Sequence, residues 1–133
     1  MCVLRAFGDD FNPEEFLSGS NLEPYAVYKR GDKRFKSGES THEKSGLKID
    51  VSDAEWSDKS AQFADAISYI QGNREELERL MHWPGVDCIV LDFPFDAEET
   101  ATFIRCPIEL AREASALNIA LEFSVYPTKR DDD

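Results

Sequence analysis

The stretch "GDDFNPEE" gathers Asp9, Asp10, Glu14 and Glu15, the first residues in the chain whose types and spacing could do chemistry. Carboxylate oxygens around a turn can hold a hard divalent cation. With Asp9 and Asp10 as ligands and His42 moving a proton, they would make a small metal-dependent hydrolase. The same residues have a structural explanation. Asn12 is a helix N-cap, Pro13 suits the first helical position, and Glu15 is placed to complete a capping box. Either aspartate can order the turn, and acidic side chains at a helix start complement its dipole. Capping accounts for all four, so no metal is expected and Asp9 and Asp10 are the weaker alternative.

The other reactive types form no motif. His42 lies in a polar stretch, and His82 sits at a helix end beside Trp83 and Pro84; neither has a zinc-spaced Cys, Asp or second His. Cys2, Cys88 and Cys106 are an odd number at wide spacing with no CxxC, which suits neither a disulfide framework nor a zinc ribbon. Each lies in an apolar, strand-like run, so all three read as buried thiols of a reducing cytoplasm. GxSxG, the P-loop and GxGxxG do not occur. No catalytic residue and no cofactor is therefore expected. "RGD" at 30–32 matches an adhesion tripeptide by letters alone.

One stretch departs from the rest in charge. From Lys29 to Lys48 there are seven cations against three acids, in a chain whose net charge is −12. It reads as a mobile basic arm at 29–46 whose Lys29, Arg30, Lys33, Arg34 and Lys36 meet an acidic patch, on a partner or on this domain. The plainer reading is a solvated loop. The overall charge repels phosphate, which argues against nucleic acid and anionic membrane as partners and favours a basic protein. The apolar run at the N-terminus is too short for a signal peptide, and no run approaches the roughly 18 residues of a membrane span.

The elements that must position these residues follow from periodicity. "CVLRAFG" (2–8) and "PYAVYK" (24–29) read as strands around the short helix opened by Asn12. "GLKIDV" (46–51) alternates cleanly. Residues 58–71 place Phe63, Ile67 and Ile70 on one helical stripe, and Asn73 with Glu76 predicts a second capping box. "DCIVLDFPF" (87–95) is an apolar strand that Pro94 should end. "ATFIRC" (101–106) reads as a further strand, "PIELAREASALN" as a helix and "IALEFSVY" (119–126) as the last strand. The chain should be one α+β domain over 1–128, in the order β-α-β-β-α-α-β-β-α-β, with a charged tail at 129–133. Such a schedule suits a single mixed β-sheet with helices packed mainly on one face. Alternation then sends Arg5, Lys48, Asp50, Asp92, Arg105 and Glu122 to the other face, with Phe7 and Phe103 among them.

"LRAFGDDFNPEEFLSGSNLEPYAVYKRGD" resembles the bacterial family catalogued as domain of unknown function 4279, which has a strand, a Gly-Asp pair, a Pro-Glu-Glu helix start, "Leu-x-Pro" and a basic-glycine turn. "KSGL" (44–47) and "ALNIALEFSVY" are similar to its second strand entry and final strand. The match is specific over residues 4–31; where members usually carry a tryptophan soon after the position of Gly46, this chain has Leu47 and Lys48. The resemblance implies a cytosolic α+β domain with no assigned activity, some of whose relatives resemble immunity-type neighbours of toxin genes.

Three functional readings follow. The leading one is a non-catalytic protein of immunity or regulatory type that engages a basic protein partner, with Arg5, Arg105 and Glu122 on the open sheet face or the 29–46 arm adding specificity. The second is the hydrolase built on Asp9 and Asp10. The third is a structural subunit that forms a homodimer through an edge strand.

Overall fold

Nine elements follow one another in a computed structural model that describes residues 1–36, 38–98 and 100–127: β1 (Cys2–Gly8), α1 (Pro13–Leu17), β2 (Ala26–Tyr28), β3 (Ser45–Ser52), α2 (Lys59–Gly72), α3 (Arg74–Met81), β4 (Cys88–Asp96), α4 (Ile108–Ala116) and β5 (Ile119–Tyr126). The charged tail expected at 129–133 lies outside the described residues. The strands form one sheet in the order β2-β3-β1-β4-β5. Only β4 and β5 are parallel, so the sheet is mixed, as the element schedule implies.

The two-residue period of a strand decides which face is buried. Cys2, Leu4 and Ala6 of β1 lie on the same side as Leu47 and Ile49 of β3 and Ile89, Leu91, Phe93 and Phe95 of β4, all buried. The helices supply the opposing layer through Phe16, Phe63, Ala66, Ile70, Leu77, Leu80, Leu110 and Ala114. Arg79 ties two of them together. Its guanidinium lies 4.3 Å from the Phe16 ring centre and donates to the Phe16 carbonyl and to Glu76, while Phe16 meets Trp83 edge-on at 5.3 Å. Cation–π contact of this kind adds about 0.5–2 kcal/mol. The backbones of Gly8 and Gly85 approach so closely that a Cβ on residue 8 would lie 1.8 Å from the Gly85 carbonyl oxygen, which anchors the end of β1 against the turn before β4.

Three local expectations are corrected. Residues 101–106 are not a strand, although their burial alternates: Thr102, Ile104 and Cys106 are half-buried while Ala101, Phe103 and Arg105 are exposed. One-sided burial produces that pattern without any ladder, because Ile104 and Cys106 pack against the core. The segment is instead the first arm of the crossover that two parallel strands require. Asn73 makes no side-chain cap; it donates to the Tyr69 carbonyl, while Glu76 accepts from Ser20 and Arg79. Asn12 does accept from the Glu15 amide at 3.2 Å.

Pro94 does not end β4, which continues to Asp96. Pairing between β1 and β4 stops at Val3 and Asp92, so beyond that point β4 has no partner on its β1 side. A proline is tolerated where no ladder bond is lost. The fully buried Gln62 of α2 reaches this strand and donates to the Pro94 carbonyl at 2.9 Å and to the Glu55 carbonyl at 3.3 Å. Gln62→Leu keeps the volume and orphans the Pro94 carbonyl, a loss of about 1–3 kcal/mol. The change also removes the Gln62 Oε1, which is buried without a partner. The net destabilisation in urea unfolding should therefore lie near the lower end, about 1 kcal/mol. An unchanged midpoint would show that the contact contributes nothing.

Candidate functional site

The helices leave the second face of the sheet open. Arg5 of β1 is at its centre, opposite Lys48 of β3 on one side and Val90 of β4 on the other. Asp92 and Glu122 face each other across β4 and β5. Like charges in that position repel. The Arg5 guanidinium reaches over and pairs with both, to Asp92 at 3.9 Å and in closer contact with Glu122. Ser124 donates to Asp92 at 2.9 Å. These groups are partly exposed, so each pair contributes about 1 kcal/mol or less. The face is thus polarised, with carboxylates over β4 and β5 and the cations Arg5 and Lys48 at the middle of β1 and β3, while Asp50 lies further along β3.

The cationic half is roofed by the basic stretch. Among its described residues that stretch folds back on itself as a hairpin. The Lys29 carbonyl accepts from Asp32 N–H at 2.9 Å, the Asp32 carboxylate accepts from Lys29 N–H at 2.9 Å, and Gly31 takes φ 94°. Left-handed backbone at that position is a glycine preference, so "RGD" here is turn chemistry. Gly31 N–H donates to the His42 carbonyl, His42 N–H to the Asp32 carbonyl and Arg34 N–H to the Ser40 carbonyl, with a bridge between Lys33 and Thr41.

Between hairpin and sheet lies a cleft of about 310 Å³ lined by Arg5, Phe7, Tyr28, Arg34, His42, Glu43, Lys44 and Lys48. His42 stacks on Tyr28 with ring centres 4.1 Å apart, and Lys48 stands 5.8 Å from the Tyr28 ring centre. Gly46 makes room for that ring, since a Cβ there would lie 2.5 Å from both the Tyr28 hydroxyl and the Ala6 carbonyl oxygen. Lys44 stands 3.7 Å from both Asp9 and Asp87 and 6.0 Å from the Phe7 ring centre. Arg34 and Lys48 have no carboxylate partner among the described residues. Burial, then the charges of Arg34 and Lys48, hold the His42 imidazole below its ordinary pKa, against a smaller upward pull from Asp32.

The residues singled out in the sequence are dispersed by this arrangement. Of Lys29, Arg30, Lys33, Arg34 and Lys36 only Arg34 lines the cleft, together with Lys44 from the end of the same stretch. Lys29 turns away to Glu14 at 3.4 Å, the Arg30 amide donates to Ser45, and Lys33 and Lys36 are exposed. Arg5 and Glu122 are on the open face as expected. Arg105 is not: with Lys59, Phe63, Ile67 and Pro107 it lines a second groove, of about 380 Å³, between α2 and the crossover. Phe103, 81% exposed, also lies on the crossover and off the sheet. Asp9 is drawn to Lys44 and Asp10 is exposed; no group of three or more His, Cys, Asp or Glu that could hold a metal occurs among the described residues. Cys2 is buried, which pushes its thiol up to about 12, whereas Cys88 and Cys106 are only half-buried. No described helix is long and apolar enough to cross a membrane. Sequence reasoning missed that Tyr28 and His42 belong with Lys48; the alternation of β3 places Lys48, but only the hairpin brings His42 to it.

Removing a neighbouring like charge favours the charged form of an imidazole. Lys48→Met should therefore raise the His42 pKa in an NMR titration of the ring protons, and only part-way to the ordinary value because burial is the larger cause. A titration midpoint identical to that of the unaltered protein would remove Lys48 from the cleft's electrostatics.

Comparison with known proteins adds the family. Neither the curated proteins nor the solved structures contain a match. The family model described as "Domain of unknown function (DUF4279)" matches residues 1–128, nearly the whole chain, and the protein belongs to that family.

Proposed function

We propose that this domain is a non-catalytic binding protein, of immunity or regulatory type, that engages a basic protein partner through its acidic surface. The observation that carries the reading is how its charges are distributed. Arg5, Lys29, Lys44, Lys59, Arg74 and Arg79 are each taken up by carboxylates of the domain itself. Asp10, Glu23, Glu75, Glu78 and Asp96 are exposed and make no ion pair among the described residues, in a chain of net charge −12. Unanswered surface carboxylates of one sign raise the encounter rate with a cationic partner and suppress acidic competitors. An inhibitor that must act quickly benefits from that steering. The polarised sheet face would set the orientation of docking.

The test compares the protein with a variant in which Asp10→Asn, Glu23→Gln, Glu78→Gln and Asp96→Asn remove four of these charges. Immobilised protein should retain a partner of high isoelectric point from a lysate of its own host. Purified, that partner should bind more slowly as salt shortens the Debye length below about 8 Å, and more slowly to the variant than to the unaltered protein. Binding that ignores both salt and the four substitutions would contradict the electrostatic reading.

A further inference from the structure

The cleft under the hairpin has the opposite sign to the surface around it. Arg5, Arg34, Lys44 and Lys48 converge on it, and Glu43 is the one acid in its lining. Two of the four are answered within the domain, Arg5 by Asp92 and Glu122 and Lys44 by Asp9 and Asp87. Arg34 and Lys48 are not, although both stand near enough to His42 to act on its charge. A strongly acidic domain with exposed carboxylates to spare has thus left two cations in one concave site without a carboxylate partner among the described residues.

We infer that the cleft between the 29–46 hairpin and β1, β2 and β3 is a binding site for a small multivalent oxyanion, a phosphate ester or a polycarboxylate, held by Arg34 and Lys48 over the Tyr28–His42 stack. Each part of the wall has a role. Lys48 is fixed by the β3 register opposite Arg5. Arg34 is fixed by its backbone bond to Ser40 within the hairpin. The Tyr28 ring, seated over Gly46, forms an apolar floor that keeps water from screening the two cations from below. The volume of about 310 Å³ suits a molecule the size of a metabolite. Multiple negative charges are needed because the domain as a whole repels anions. Several charge-assisted hydrogen bonds formed at once overcome that repulsion at short range, where a monovalent ion forms too few. This inference does not rest on the basic-partner reading, since the four substitutions proposed above leave the cleft untouched.

The probes are pyrophosphate and citrate, titrated into isotopically labelled protein and followed by NMR, with sodium chloride at matched ionic strength as the control. The expected result is saturable shifts at Tyr28, Arg34, His42 and Lys48 with one or both probes and none with chloride; the tighter probe assigns the ligand as phosphate or carboxylate. Arg34→Ala with Lys48→Ala should weaken binding by about tenfold or more, given the strength of charge-assisted bonds. Arg34→Ala alone changes an exposed side chain that makes no ion pair, so its smaller loss can be read without concern for folding. Arg105→Ala, outside the cleft, should bind as the unaltered protein does. The inference is overturned if neither probe saturates, if chloride reproduces the shifts, or if the double variant binds as tightly as the original.

Discussion

Helices on one side only is the condition from which the rest of this molecule follows. β1 is the central strand, and its Leu4 and Ala6 are buried under the helical layer while Arg5 and Phe7 point the other way. A strand cannot choose these separately, because successive side chains alternate. Once the chain commits Phe16, Phe63, Ile70, Leu77, Leu80 and Leu110 to a single side, the opposite face must be finished with groups that tolerate water. Charged residues do that, and their arrangement in rows across the strands turns a solvated face into one with a positive and a negative half.

Arg5 is the hinge of that division. Asp92 and Glu122 would repel across adjacent strands, and the guanidinium between them removes the conflict. Arg5 turns its head group to β4 and β5, and Lys48 opposite it makes no ion pair among the described residues. The hairpin then folds over Lys48 and brings in Arg34, another cation. The result is a site whose electrostatics oppose those of the whole molecule, and which a census of charges along the chain does not disclose.

The same economy of partners explains the irregular features of the helical face. Along β5 burial falls from Ile119, which is covered, to Val125, which is exposed, because the helical layer stops short of the strand's far end. Phe93, Phe95 and Phe123 stack there and Phe63 meets them at an angle, with ring centres between 5.1 and 6.3 Å apart. The crossover that follows β4 runs beside α2 instead of pairing, so an apolar groove opens between them. Gln62 reaches the Pro94 carbonyl in the stretch where β4 has lost its antiparallel neighbour. Each of these lies around the stretch where β4 has run past the end of its pairing with β1 and side chains complete the surface.

Much of this architecture is legible in the chain by itself. Two-residue alternation in 2–8 and 46–51 and the helical stripe of Phe63, Ile67 and Ile70 identify the elements, and those patterns report burial that is local to each element. Asn12 announces a helix start for the same reason, since a cap acts within four residues. Pairing is different. The alternation of 101–106 is real, yet it reports only that one side of the segment packs against the core, and whether the segment also joins a ladder is decided by where distant strands lie. Pro94 is likewise permitted by where β1 happens to stop. The cationic cleft belongs to this second kind: Arg5, Tyr28, Arg34, His42 and Lys48 are scattered along 44 residues, and only backbone hydrogen bonds that fold 29–46 onto the open face place them together. Charge acts through space and not along the chain, so its local sign could be decided only by the tertiary structure.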